Sequence, residues 1–465
     1  MLVQPDPTFY PSAREAMRAP RELLAYVALL DAGGDGRPDA LATVDLDPGS
    51  PAYGTVVNVH DLPVAGDELH HFGWNVCSAA LCPYAPHPHV ERRYLIVPGL
   101  RSSRIYVFDT KPDPLRPVLV KTIEPETILD RTGYSRPHTV HCGTDAIYVS
   151  ALGNAEGDAP GGVFMLDHDT FEPLGRWEVD RGPQRLHYDF WWHLGHDTMI
   201  TSEWGTPNMI EAGPDLELLL GRQYGHRLHV WDLRKRVHLQ EIDLGDQYQM
   251  ALELRPAHDP TRTHGFVNTV ISVEDLSANI FTWWLDGGTW RAEKVITIPA
   301  EPADPAVLPE PLKQFGAVPP LVSDIALTLD DRILLVSAWG TGELLAFDVS
   351  DPRNPKQTGS ARLGGIAARA AHPKAPGRPL NGGPQMVEAS RDGRRAYFTN
   401  SLYRSWDEVF YPDGISSWLV KVDIAEDGSI ALDPDFFVDF SADGRRAHQV
   451  RLQGGDASSD SYCFP

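Results

Sequence analysis

Apolar and polar positions alternate along this chain in short runs of five or six residues, each closing on an aspartate. The runs are Leu41-Ala-Thr-Val-Asp45, Arg104-Ile-Tyr-Val-Phe-Asp109, Val163-Phe-Met-Leu-Asp167 and Leu228-His-Val-Trp-Asp232. They continue with Phe281-Thr-Trp-Trp-Leu-Asp286, Leu344-Leu-Ala-Phe-Asp348 and Leu419-Val-Lys-Val-Asp423. A period of two predicts strands, and the closing aspartate suits the polar turn that follows. The aspartates are 64, 58, 65, 54, 62 and 75 residues apart. Between copies lies a second hairpin, such as Ser323-Asp-Ile-Ala-Leu-Thr-Leu, a turn at Asp330-Asp331, then Arg332-Ile-Leu-Leu-Val-Ser. Two hairpins per period make four strands, the blade of a β-propeller. Seven repeats predict an all-β, seven-bladed propeller. The first copy has no inner hairpin before it, and the last inner hairpin, from His448 onward, has no outer one. Pairing the C-terminal strands with the strand at Leu41 to Asp45 closes the ring and removes its exposed edges.

Helices are expected to be few and short. Ser12 with Glu15 three residues on reads as a capping box, opening a helix or two short pieces interrupted at Pro20 and reaching towards Leu29. The stretch 216–221 reads as another. Segments 299–320 and 367–383 are rich in Pro, Ala and Gly and read as insertions between blades. The domain reading is one propeller over 1–465, with 1–30 as an N-terminal extension.

Composition narrows the partners. Gly and Pro contribute 40 residues each to the 465, more than the roughly 12% of average usage. The formal net charge of −23 disfavours nucleic acid and anionic lipid, both of which need a positive field. No window reaches the roughly 18 to 20 apolar residues of a membrane span. The first residues lack a basic and then apolar pattern, so no signal peptide is read. Four cysteines, Cys77, Cys82, Cys142 and Cys463, are too few for a disulfide framework in a chain of this size, and predict a reduced, cytoplasmic compartment.

The inner strands of a propeller line its channel, and their first residues cluster at one mouth. Three of the seven starts carry histidine: His70-His71-Phe-Gly-Trp-Asn, His138-Thr-Val-His141 and His448-Gln-Val. The whole chain has 18 histidines in 465 residues. The three blades are neighbours once the ring closes. Imidazoles converging from adjacent strands suit a transition metal, with copper, zinc and iron all compatible. The candidate ligands are therefore His70, His71, His138, His141 and His448. His138 and His141 differ by an odd step, so both face the channel only if the strand bulges, and His70 substitutes if His141 turns away. His196 and His258 fall in turns at the other end of their strands and are secondary candidates. His87, His89, His226 and His229 read as exposed.

Cys77 follows His71 by six residues. A thiol beside metal-bound imidazoles would have a lowered pKa and act as a nucleophile or soft ligand, whereas most free cysteines are inert core residues. Cys142 reads as structural. No nucleophile-elbow serine, P-loop or dinucleotide fingerprint competes.

Several longer motifs carry a resemblance. Asp67-Glu-Leu-His-His-Phe-Gly-Trp-Asn-Val-Cys-Ser, His138-Thr-Val-His-Cys, Tyr188-Asp-Phe-Trp and Ile200-Thr-Ser-Glu-Trp resemble the selenium-binding protein family. So do Gly382-Gly-Pro-Gln-Met, Ser401-Leu-Tyr-Arg-Ser-Trp-Asp, Phe410-Tyr-Pro-Asp and Gly454-Gly-Asp-Ala-Ser-Ser-Asp. The resemblance implies a propeller and, as in the family's enzymatic members, copper-dependent oxidation of methanethiol with O2 and water to formaldehyde, hydrogen sulfide and hydrogen peroxide. It implies that Cys77 is the selenium-associated cysteine. The chain departs from the family where Ala80 and Ala457 stand in place of cysteines. The competing expectation is a non-catalytic propeller that binds selenium or sulfur species through Cys77, or docks partners on its faces.

Overall fold

The computed structural model describes residues 4–31, 36–83, 87–193, 195 and 197–465. Seven four-stranded antiparallel sheets stand around a central channel. The first blade runs from the channel outward as Arg445–Leu452, Leu24–Asp31, Pro38–Asp45 and Val56–Ala65. The innermost strands of the next six are Gly73–Trp74, Ser135–Cys142, Phe190–His193, Tyr248–Pro256, Val322–Leu327 and Val387–Ala389. Every run that ends in aspartate lies in the third strand of its blade. Asp45, Asp109, Asp167, Asp232 and Asp348 each accept a backbone N–H two residues on, which holds the turn.

Burial explains which strands alternate. Ile333–Ala338, second in its blade, is buried at all six positions because neighbouring blades cover both faces. Val237–Asp243, the outermost strand of its blade, is mostly exposed or half-buried. Apolar side chains interdigitate between blades, as where Ile96, Ile105 and Val107 meet Val140, Ile147 and Val149.

The ring closes through the termini, but the C-terminal strand does not pair with Leu41 to Asp45 as the sequence suggests, because another N-terminal strand lies between them. Arg445–Leu452 pairs with Leu24–Asp31, with Val27 opposite Val450, and that strand in turn pairs with Pro38–Asp45. The C-terminus therefore supplies one strand and the N-terminus three. This corrects both the helix drawn towards Leu29 and the extension drawn over 1–30. The Ser12 cap is real, its side chain accepting from Glu15 N, but the helix spans only Ala13–Ala16. Beyond Pro20, the apolar run from Leu24 takes the empty place beside the C-terminal strand. The helix expected near 216 is Leu216–Leu220, capped by Asp215. Segment 299–320 forms a two-stranded ribbon and a short helix, Glu310–Lys313.

All four cysteines are paired, contrary to the reading of free thiols. Cys77 is bonded to Cys142 and Cys82 to Cys463, with Cα–Cα separations of 5.8 and 5.5 Å. These partners are 65 and 381 residues apart in sequence; neighbouring blades bring the first pair together and ring closure the second. The expectation of a reduced, cytoplasmic compartment rests on cysteines too few for a disulfide framework, yet all four are paired. Among the described residues no helix is long and apolar enough to cross a membrane.

Candidate metal centre at one mouth of the channel

Below the mouth, the channel is filled by charge. Asp189, one residue before Phe190–His193, and Glu253, Asp324 and Glu388 on the next three inner strands are fully buried. The Arg255 guanidinium lies 3.5 Å from Asp189, 3.2 Å from Glu253 and 3.0 Å from Asp324, and Arg451 pairs with Glu388. Two of the acids also stitch neighbouring blades together. Asp189 accepts from Leu254 N at 2.9 Å, and Asp324 from Val387 N at 2.7 Å. Burial raises the pKa values of Glu253 and Asp324 against the pull of Arg255.

Above this plug the structure gathers His70, His71, His138 and His448 into one group. The rings of His70 and His448 stack at 4.1 Å, and those of His71 and His138 lie 3.9 Å apart. Closure of the ring is what brings His448 beside His70. Burial holds His71, His138 and His448 well below the usual histidine range, with neighbouring imidazoles adding to the shift. These three rings are therefore neutral, the form that binds metals.

The partners around His448 and His70 fix their tautomers. His448 Nδ1 lies 2.9 Å from the Ser401 carbonyl, which can only accept, so Nδ1 carries the proton and Nε2 the lone pair. That Nε2 is buried and has no hydrogen-bond partner. His70 Nε2 donates to Glu68 Oε1 at 3.3 Å, leaving its lone pair on Nδ1. The Thr139 hydroxyl lies 3.3 Å from His138 Nδ1 and 3.4 Å from His71 Nδ1, and His71 Nε2 is again buried without a partner. Burial pushes Glu68 upward, but the His70 hydrogen bond and the Arg101 guanidinium outweigh it and bring its pKa to about 2. Glu68 holds a left-handed backbone, φ 53°, and also accepts from Arg404 N at 2.8 Å.

Aromatic rings cover the group. Tyr188 lies 4.7 Å from His138 and donates to Glu253 Oε1 at 2.8 Å, while Glu253 Oε1 is 3.7 Å from His71 Nε2. Tyr403 lies 4.6 Å from His70, at the start of the helix Arg404–Phe410. Asp407 pins that helix by accepting from Leu402 N and the Ser401 hydroxyl.

The remaining sequence candidates fall elsewhere. The strand does bulge between Pro137 and Val140, yet His141 turns away from the group and packs on Trp191 at 4.1 Å, with Nε2 3.7 Å from Asp189. His258, at the far mouth, has both nitrogens engaged, Nδ1 with Asp331 at 3.0 Å and Nε2 with the Ala457 carbonyl at 2.7 Å. His196 lies outside the described residues. Cys77 is buried in a disulfide among Ala79, Tyr148, Phe190 and Trp192. Its partner Cys142 ends the strand that carries His138, about 13 Å further along at some 3.3 Å per residue. The free, metal-adjacent thiolate expected at Cys77 is therefore absent from this structure. His87, His226 and His229 are buried rather than exposed, while His89 is exposed as expected. His229 sits between Glu203 and His238, each at 3.0 Å.

Sequence reasoning missed Glu68, Glu253, Tyr188 and Tyr403. A signal for Glu253 was present, since Asp189, Glu253, Asp324 and Glu388 occupy equivalent channel-facing places in or just before successive inner strands.

Among the described residues, no three or more His, Cys, Asp or Glu side chains already stand in coordinating geometry. The imidazoles are packed as neighbours and need side-chain rotation to meet at one point. Their chemistry nonetheless fits a metal that prefers nitrogen, because neutral rings offer buried lone pairs that nothing else uses.

The fold and site together define a closed seven-bladed propeller with a buried histidine centre at one mouth. The chain belongs to the 56kDa selenium binding protein (SBP56) family, whose model matches residues 3–463. It is 39% identical to the methanethiol oxidase of Xenopus tropicalis, covering 97% of this chain and 98% of that one. It is 38% identical to selenium-binding protein 1 of Arabidopsis thaliana, covering 97% and 94%. The X-ray structure of a hypothetical selenium-binding protein from Sulfolobus tokodaii superposes with a TM-score of 0.96 at 57% identity, over 99% of this chain and 100% of that one.

Proposed function

We propose that this protein is a methanethiol oxidase whose copper is held by His70, His71, His138 and His448. One observation carries the reading: the Nε2 atoms of His71 and His448 are buried without a partner, inside a family with relatives named for that activity. The reaction converts one methanethiol, one O2 and one water to one formaldehyde, one hydrogen sulfide and one hydrogen peroxide. The thiol carbon loses two electrons, O2 gains them as peroxide, and sulfur leaves as hydrogen sulfide. Copper, when bound, supplies one-electron chemistry towards sulfur and O2 and a soft Lewis acid for the thiol.

The chain's own residues prepare the centre. Glu68 and the Ser401 carbonyl hold the rings of His70 and His448 by the nitrogen that is not offered. The Tyr188 hydroxyl orients Glu253, whose carboxyl burial favours as the protonated form beside His71 Nε2. Glu253 Oε1 is thus the group placed to keep or release a proton there. Tyr188 and Tyr403 exclude bulk water from the rings. With Cys77 bonded to Cys142, neither a nucleophilic role for Cys77 nor the rival reading of selenium or sulfur capture through it applies unless that bond is first reduced.

The test supplies methanethiol to copper-loaded protein and measures O2 uptake with formaldehyde, sulfide and peroxide. Equal amounts of the three products are expected. Copper-loaded protein that consumes no thiol contradicts the proposal.

A further inference from the structure

The helix Leu216–Leu220 and the segment 299–320 roof the same face of the propeller and enclose an apolar cavity of about 70 Å³. Met250, Val270, Leu312, Leu321, Trp406 and Phe410 line it. Apolar cavities take small apolar guests; an engineered one of about 150 Å³ accepts benzene or xenon. At about half that volume, this cavity suits a guest of only a few heavy atoms.

A continuous run of aromatic rings links the cavity to the histidine centre. Trp406 forms its wall, fixed by donation from Nε1 to the Ile210 carbonyl at 2.9 Å. Behind it lies Trp204, 6.0 Å from Trp406, 5.5 Å from Tyr188 and 6.3 Å from Tyr403. Tyr188 and Tyr403 are the two rings that touch His138 and His70. Among these rings, Trp204 Nε1 and the Tyr403 hydroxyl are buried and have no hydrogen-bond partner. Buried donors left unpaired cost stability, so two of them between a cavity and a reactive centre point to a passing acceptor.

We infer that this cavity is the vestibule through which a short aliphatic thiol reaches the histidine centre, with Trp204 and Tyr403 as the inner door whose N–H and O–H meet its sulfur. The inference rests on the oxidase reading. It also commits to the occupant: a thiol of one to three carbons has the apolar body the walls favour and the weak acceptor the door lacks. A long acyl chain exceeds the volume.

Leu219 is half-buried on the roof helix and Val270 lies in the wall, so Leu219→Trp and Val270→Phe fill the space from opposite sides. Crystals of the parent and both variants are pressurised with xenon, and kcat/KM is measured for methanethiol and 1-butanethiol at equal copper content. Xenon is expected in the parent cavity and in neither variant. Each variant is expected to lose about tenfold in kcat/KM for methanethiol, while the parent disfavours 1-butanethiol. An active parent whose two filled variants keep full kcat/KM overturns the vestibule, as does a parent cavity that takes no xenon. A copper-loaded parent that oxidises no thiol fails differently: it overturns the oxidase reading and the transit role with it, whatever the xenon shows.

Discussion

His448 and His258 are both buried histidines near the channel, one at each mouth, and they differ in what their nitrogens meet. His258 spends both on protein, Asp331 on one side and the Ala457 carbonyl on the other. His448 spends only Nδ1, and its buried Nε2 has no hydrogen bond. The same contrast runs through the surroundings. At the His258 mouth two disulfides and the C-terminal segment tie blades together. At the His448 mouth aromatic rings cover the histidines and an apolar cavity lies behind them. His258 has no nitrogen left to offer a ligand, whereas His448 keeps one buried lone pair. Burial alone would not have told the two apart.

The contrast breaks most sharply by substitution at the open mouth. His138→Ala and His448→Ala are each expected to abolish copper binding and thiol oxidation while circular dichroism still reports the propeller. Glu68→Gln comes next. It keeps the shape beside His70 but removes the carboxylate that fixes the ring, and is expected to weaken copper binding by about 10- to 100-fold in a chelator competition. Retained affinity would show that Glu68 serves the loop rather than the histidine.

At the closed mouth the expected effects are on stability. Cys82→Ser with Cys463→Ser should cost about 2–4 kcal/mol in denaturant unfolding, with copper content unchanged. His258→Ala strands Asp331 and should cost about 1–3 kcal/mol, again with copper retained. Loss of copper from either variant would merge the two ends that this account separates.

A separate effect is one of pH. Burial lowers His187 to about 3 and His168 to about 4. Their unfolded value is near 6.5. A folded pKa below the unfolded one means that the unfolded chain takes up protons first. The stabilisation is therefore full above pH 6.5 and is lost as pH falls through about 4 towards about 3. Melting temperature should stay level from pH 7 upward and decline below 6.5. A decline that begins only near pH 4 would assign acid sensitivity to other groups.

Much of the fold is legible because it is periodic. Each aspartate-closed run marks the third strand of a blade, and two orphaned half-blades imply closure. Leu24–Asp31 escapes this reading because a fully buried strand shows no alternation, and its partner lies more than 400 residues away. His70, His71, His138 and His448 are legible from strand starts, since strand geometry gathers them at one mouth. Glu68 is not, because its place beside His70 depends on a left-handed backbone with no sequence mark. The disulfides are hidden for a similar reason: Cys463 meets Cys82 only after the whole ring has closed.

The central claim is that the open mouth holds copper through His70, His71, His138 and His448. Metal analysis of the parent, purified without added metal and then titrated with copper, tests it directly beside His138→Ala and His448→Ala. The account predicts one tightly held copper per chain in the parent and none in either variant, all three sharing the same circular dichroism. A parent that binds no copper, or variants that bind it as tightly as the parent, would contradict it.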